Sequence, residues 1–135
     1  MLRTLIIDDE AHIRDTLQKL LARHCPQVSV VGEAAGVSEG INAIQELHPD
    51  LVLLDINMGD GSGFDLLQAL PSINFNVIFV SASDKRTIQA FRLSGVEYLM
   101  KPVSPVELMG AVNNAEASDP RDLALKLEAL EANVK

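Results

Sequence analysis

The sequence predicts an α/β fold in which one parallel sheet lies between two layers of helices, and three observations carry that expectation. Four short apolar runs, Leu5-Ile6-Ile7, Leu51-Val52-Leu53-Leu54, Val77-Ile78-Phe79-Val80 and Tyr98-Leu99-Met100, read as strands buried on both faces. Longer stretches with helical periodicity separate them, as the crossovers between parallel strands require. Each run also stops on residues that can do chemistry: Asp8-Asp9, Asp55, Ser81 and Lys101-Pro102. In an open parallel sheet the ligand crevice lies just outside the carboxyl ends of the strands, so these side chains should converge on it.

Strand one, from about Leu2 to Asp8, leads into a helix whose Ile13, Leu17, Leu20 and Leu21 recur at helical spacing. Strand two, Val28 to Glu33, alternates more, as an edge strand would. A helix carrying Val37, Ile41, Ile44 and Leu47 stops before Pro49. Strand three ends at Asp55, and a loop with Gly59, Gly61 and Gly63 leads into a helix at Phe64-Asp65-Leu66-Leu67. Strand four ends at Ser81, its helix closes at Gly95 in the C′ position, and strand five ends at Lys101. The last core helix opens Ser104-Pro105-Val106-Glu107, an N-cap serine, a proline at the first helical position and a glutamate set for a capping box. Right-handed crossovers then give a flavodoxin-like, doubly wound (βα)5 three-layer sandwich with strand order 2-1-3-4-5. That order makes Asp8, Asp9 and Asp55 neighbours.

Composition narrows the function. A chain of 135 residues, 47% apolar, suffices for one domain with a proper core. No apolar run approaches the roughly 18 residues of a membrane span, and Asp8, Asp9 and Glu10 cut short the N-terminal apolar stretch that a signal peptide would need. The single cysteine, Cys25, forms no internal disulfide, which agrees with a reducing cytoplasm. Neither Cys25 nor His12, His24 and His48 has zinc-ligand spacing. A net charge of −8 argues against direct nucleic-acid binding by this segment. Beyond Ala117 the character changes: Ser118-Asp119-Pro120 is a stop and a fresh helix cap, after which Leu123, Leu127, Leu130 and Val134 recur at coiled-coil spacing. This segment reads either as a final helix packed on its own domain or as the start of a coiled coil. The expected division is a core domain over 1–117 and a helical linker or coiled-coil start over 118–135, leading to an output domain of a longer protein.

Three clustered carboxylates repel one another and hold a hard, oxygen-seeking cation. Mg²⁺ suits the set, because it binds through one or two carboxylates, waters and a phosphate. Asp8, Asp9 and Asp55 contribute −3 and Lys101 +1, so a divalent cation neutralises the remainder. Such a site is prepared for a phosphoryl group. Asp55, alone at the end of the central strand, is the candidate nucleophile of an aspartyl phosphate. Ser81 and Lys101 can bind the phosphoryl oxygens. Taken singly, each residue has a duller role as turn, cap or loop residue. Together, at the ends of four separate strands, they point to one site.

The set Asp8-Asp9, Asp55, Ser81 and Lys101-Pro102 resembles the receiver domain of two-component response regulators, over residues 1 to about 117. The resemblance implies that Asp55 is the phosphoacceptor. It implies that Asp9, Asp55 and the backbone carbonyl of Asn57 coordinate Mg²⁺, with Asp8 assisting mainly through water. It also implies that Ser81 is the switch hydroxyl, that Tyr98 is the switch aromatic turning into the space beneath Ser81, and that Lys101–Pro102 is cis. Asn57 and Ser83 would flank the path of attacking water and set the phosphate lifetime. The partner implied is a sensor histidine kinase. The readout implied is a remodelled surface of helix four, strand five and helix five, with homodimerisation there or through the C-terminal helix. The protein would catalyse only its own phosphorylation and dephosphorylation, in the cytoplasm.

The chain departs from the family pattern at Met58-Gly59, where the family usually has Met-Pro. Glycine frees the backbone there, so a more mobile loop is expected. The stretches Asn74 to Phe79 and Glu97 to Pro102 are similar to receivers of the LytTR class, whose regulators bind DNA through a C-terminal domain. Two rival readings are a haloacid-dehalogenase-type phosphatase and a pseudo-receiver that binds partners without phosphate. The phosphatase would need an acid where Asn57 stands, and the intact acidic pair, Asp55 and Lys101 speak against the pseudo-receiver.

Overall fold

The computed structural model describes residues 1–82 and 85–134, the side chains of 85–88, 92, 131, 133 and 134 apart. The elements run β1 (Leu2–Ile7), α1 (Ala11–His24), β2 (Val28–Ala34), α2 (Val37–Leu47), β3 (Leu51–Leu54), β4 (Asn57–Met58), β5 (Gly61–Ser62), α3 (Gly63–Ala69), β6 (Asn76–Ser81), α4 (Lys85–Ser94), β7 (Glu97–Met100) and α5 (Pro105–Ala117). A 3₁₀ turn, Pro120–Asp122, then leads to α6 (Leu123–Val134). Five strands form one parallel sheet in the order β2-β1-β3-β6-β7. This is the expected 2-1-3-4-5 order, the numbers being offset by the small β4-β5 hairpin in the loop after β3.

Period-two alternation sorts the strand residues between two cores. Leu5, Ile7, Val52, Leu54, Val77 and Phe79 face the side covered by α2, α3, α4 and α6. Ile6, Leu51, Leu53, Ile78 and Val80 face the side covered by α1 and α5. Every one of these side chains is buried, which is why the runs are continuously apolar rather than alternating. The edge strand β2 is half-buried along most of its length, as its mixed sequence required.

The stops behave as written, with one exception. Gly95 adopts φ 76° and its N–H donates to the Phe91 carbonyl at 3.1 Å, closing α4. His48 ends α2 in the left-handed region ahead of Pro49. Ser104 and Pro105 open α5 as expected, but the Ser104 hydroxyl makes no cap bond; its carbonyl instead accepts from Leu108 N–H at 2.9 Å. The capping box forms at α3, where Asp65 N–H donates to Ser62 Oγ at 3.1 Å and Ser62 N–H to Asp65 Oδ2 at 2.9 Å.

After Ser118 the chain folds back on its own domain. Leu123 and Leu130 are buried in the α3–α4 side of the core, and Leu127 packs partly into it. The leucine spacing thus serves an intramolecular face in this structure.

Candidate functional site

Pairing in register delivers the site. Ile7 lies beside Leu54, and Leu54 beside Phe79. The residues just past these positions therefore meet at one edge, with Asp55 N–H donating to the Ile7 carbonyl at 3.0 Å and Asp8 N–H to the Ala34 carbonyl at 3.0 Å. Carboxylate oxygens of Asp8, Asp9 and Asp55 fall within 4.8 Å of one another. Asp8 and Asp55 are buried and Asp9 is exposed. Two walls of the crevice are thus fixed by the sheet, and the third carboxylate faces water.

Ser81 and Lys101 arrive from the next two strands. Ser81 Oγ donates to Asp55 Oδ1 at 2.9 Å inside the protein. Lys101 Nζ lies 2.9 Å from Asp8 Oδ2, 3.4 Å from Asp55 Oδ2 and 3.5 Å from Glu10 Oε2. The Lys101–Pro102 bond is cis. Tyr98, paired with Phe79 in the sheet, donates its hydroxyl to the Ser81 carbonyl at 2.9 Å. This bond ties the Tyr98 side chain to the end of β6. Asn57 is exposed on β4, two residues past Asp55. Ser83 lies outside the described residues.

Charge makes the cluster costly in its own terms. Burial, then repulsion from Asp8, raises the pKa of Asp55 above the ordinary carboxylate value, against the opposing pull of Ser81 and Lys101. Burial by itself lowers the pKa of Lys101, but contact with Asp8 and the charges of Asp55, Asp8 and Glu10 outweigh it and raise the value. One ammonium cannot balance this many carboxylates. Asp8 Oδ2, though beside that ammonium, has no hydrogen-bond partner among the described residues. Three carboxylates that one ammonium leaves in excess, offering only oxygen donors within 4.8 Å of one another, fit a hard divalent cation well.

Three residues outside the expected set support the site. Glu10 donates its N–H to Asp8 Oδ1 at 2.9 Å and points its carboxylate at Lys101. Arg14, one turn into α1, donates from Nη1 to the Asp8 carbonyl at 2.6 Å and from Nε to Glu33 at 3.1 Å, clamping the β1–α1 corner to β2. Asp60 accepts from the N–H groups of Val37 and Ser38 at 2.8 and 3.1 Å, tying the loop after β3 to the start of α2. The position of Glu10 directly after the acidic pair was a usable signal. Nothing local marked Asp60, whose partners lie more than twenty residues upstream.

Asp60 bears on the loop expected to be slack. Gly59 has open space where a Cβ would sit and its φ is not positive, so the fold makes no use of its freedom. The neighbouring carboxylate and the Ser62–Asp65 capping box anchor the loop on both sides. The two backbone bonds lower the pKa of Asp60. Its contribution to stability is therefore full above the unfolded value of about 3.9 and disappears as pH falls through the lower folded value. Asp60→Asn should lower the urea midpoint at pH 7, and the difference from the parent should vanish in strong acid.

Gly63 has a steric reason to be glycine. A Cβ there would lie 2.6 Å from the Asp55 carbonyl oxygen and 3.0 Å from Leu54 Cγ. Gly63→Ala should cost about 1–3 kcal/mol in urea unfolding, the usual penalty of overpacking.

An open parallel sheet that gathers three carboxylates, a hydroxyl and a lysine beyond its strand ends is the arrangement of a receiver-type signalling domain. The description "Response regulator receiver domain" matches residues 4–113, and the chain belongs to that family, a component of two-component signalling. It is 42% identical over 113 residues to an uncharacterized response regulatory protein of Vibrio cholerae serotype O1, covering 83% of this chain and 47% of that one. It is 29% identical over 136 residues to the sensory transduction protein LytT of Bacillus anthracis, covering 99% and 55%. Among solved structures, the receiver domain of the PhyR response regulator of Erythrobacter litoralis superposes with TM-score 0.74 at 27% identity, covering 87% of this chain and 92% of that one. The chain spans about half the length of these two relatives.

Proposed function

We propose that the chain is a phosphorylation switch that takes a phosphoryl group on Asp55 from the phosphoimidazole of a sensor histidine kinase. The observation that carries this reading is the arrangement around Asp55: a buried carboxylate held between the Ser81 hydroxyl and the Lys101 ammonium, beside two further carboxylates. An Asp55 oxygen attacks phosphorus, the P–N bond to the kinase histidine breaks, and its electrons leave with the imidazole nitrogen. Ser81 and Lys101 donate to the phosphoryl oxygens as their charge grows. Asp9, Asp55 and the Asn57 carbonyl would hold Mg²⁺, with Asp8 assisting mainly through water. When bound, the ion offsets the negative charge of acceptor and phosphoryl group. Asn57 and Ser83 would set the lifetime of the acyl phosphate.

The readout surface is the face formed by α4, β7 and α5. Leu93, Met100, Val106 and Met109 are exposed there, and a cleft of about 400 Å³ lined by Phe91, Tyr98, Met100 and Glu107 opens beside them. Apolar side chains gathered on one face suit a homodimer or an attached output domain. The resemblance to the LytTR class, together with a relative named LytT, supports a DNA-binding output domain joined through the segment after Ser118. The net charge of −8 leaves DNA contact to that domain. A cytoplasmic location agrees with the absence of a membrane-spanning helix among the described residues.

Incubation with acetyl phosphate and Mg²⁺ should add one phosphoryl group by intact-mass measurement, and the adduct should disappear on chelation of the metal beforehand. An unmodified chain under these conditions would defeat the reading. Turnover of small phosphate esters above background would instead favour a phosphatase, but Asn57 offers an amide where that chemistry needs an acid.

A further inference from the structure

Asp60 stands at the tip of the β4–β5 hairpin, between Gly59 and Gly61, and reaches across to α2. Asn57 pairs with Ser62 and Met58 with Gly61, so the hairpin has two residues in each strand. A ribbon that short has little stability of its own. Its base is seated on the sheet: Met58 is buried in the core, and Gly63 N–H donates to the Ile56 carbonyl at 2.8 Å. Its tip, with a glycine on either side of Asp60, has backbone freedom to lose.

The start of α2 is a firm anchor beside the acidic pair. β2 ends at Ala34, whose carbonyl accepts from Asp8 N–H at 3.0 Å. Ala35 N–H donates to Glu39 Oε2 at 2.7 Å, closing the turn into the helix. The N-cap residue, Gly36, has no side chain to offer the N–H groups of the first turn. Asp60 supplies the acceptors instead, Oδ1 to Val37 N–H at 2.8 Å and Oδ2 to Ser38 N–H at 3.1 Å. A Cβ on Gly36 would lie 2.6 Å from Asp60 Oδ1 and 3.2 Å from Oδ2. The φ of Gly36 is −177°, extended backbone that any residue adopts, so space alone demands glycine here. Carboxylate and glycine form one clasp.

We propose that Asp60, seated on Gly36, is a positioning residue for the cation site: it fixes the hairpin so that the Asn57 carbonyl is available to an ion held by Asp9 and Asp55. The proposal rests on the reading in which that carbonyl is a Mg²⁺ ligand. Asp9 is exposed and can follow an ion by turning about its side-chain bonds. A backbone carbonyl moves only with its chain, so its placement depends on whatever fixes the hairpin. Mg²⁺ demands near-ideal octahedral geometry at short range and tolerates a misplaced ligand poorly. The clasp is also close to the site, since Asp9, Gly36 and Asp60 line one recess of about 350 Å³. Groups that hold a ligand in place act on metal affinity without touching the metal.

Titration of the isotope-labelled 135-residue chain with MgCl₂ tests this, read by NMR at the amides of Asp9, Asn57 and Met58. The Met58 amide shares its peptide unit with the Asn57 carbonyl and reports on it directly. Asp60→Ala and Gly36→Ala should each bind Mg²⁺ about tenfold more weakly than the parent. Gly36→Ala keeps every charge, so its loss cannot come from removing a carboxylate. The double variant should bind no more weakly than either single one, because both break the same clasp. Asn76→Ala is the control for lost stability: it removes bonds of 2.8 and 3.1 Å to the Ala115 and Ser118 carbonyls at the amino end of β6. It should lower the urea midpoint and leave Mg²⁺ affinity as in the parent. Parental affinity in Gly36→Ala, additive losses in the double variant, or an equal loss in Asn76→Ala overturns the clasp and leaves the phosphoacceptor reading standing. A parent whose resonances do not respond to Mg²⁺ overturns the cation site and the clasp together.

Discussion

Asp55→Asn is expected to abolish the phosphoryl adduct and, at the same time, to make the folded chain more stable. The first effect follows from replacing the nucleophile by an amide, and the adduct should form at least about 10³-fold more slowly. The second follows from the energetics of the site. Burial and Asp8 raise the pKa of Asp55, so the folded chain holds its proton more tightly than the unfolded chain does. Stability contributed by this group is therefore present at low pH and lost as pH rises from about 3.9 through the raised folded value. Above that value the parent carries the whole penalty of a buried, repelled carboxylate and the variant does not. Urea midpoints should accordingly be higher for Asp55→Asn at pH 7, and the two should draw together near pH 4. Mg²⁺ should narrow the gap at pH 7 by stabilising the parent more. A variant that is less stable than the parent at pH 7 would mean that Ser81 and Lys101 outweigh burial and repulsion.

Lys101→Ala is expected to be the second most damaging change. Its ammonium would donate to the phosphoryl oxygens, and loss of one such donor slows reactions of this kind by about 10²–10³-fold. Acetyl phosphate labelling followed over time measures that directly. The fold also suffers, because Asp8 is buried and faces this ammonium at 2.9 Å. Removing one partner of an enclosed pair costs about 3–5 kcal/mol; with Lys101 still 15% exposed, on the order of 2–3 kcal/mol is expected here. The pKa of Lys101 is raised in the folded chain, so its stabilisation persists below about 10.4 and is lost only as pH climbs through the higher folded value. The deficit of Lys101→Ala should therefore be constant across the neutral range. Lys101→Arg should not restore the rate, since a planar guanidinium cannot reproduce a point charge placed between three carboxylates.

Most of the site was legible because its residues mark the ends of apolar runs. Asp8, Asp55 and Lys101 each follow a strand directly and Ser81 closes one, so finding the strands was enough to place the side chains. The supporting bonds were not legible. Arg14 acts on the Asp8 carbonyl and on Glu33, and Asp60 acts on α2. Both make their contacts with backbone or side chains brought near only by packing. The capping motifs show the same limit: Ser104 had the right neighbours and makes no cap bond, whereas Ser62 and Asp65 form the full box.

The sequence alone determined the strand order, the crevice and the cluster of carboxylates. Periodicity and chain direction are local properties, and right-handed crossovers leave a parallel sheet few ways to assemble. Only the tertiary structure decided where α6 lies. Leu123, Leu127 and Leu130 would serve a coiled coil or a domain face equally well, because spacing defines an apolar edge without naming what covers it. The choice fell to the apolar area that the α3–α4 flank offered at a distance the covalent turn after Ser118 could reach.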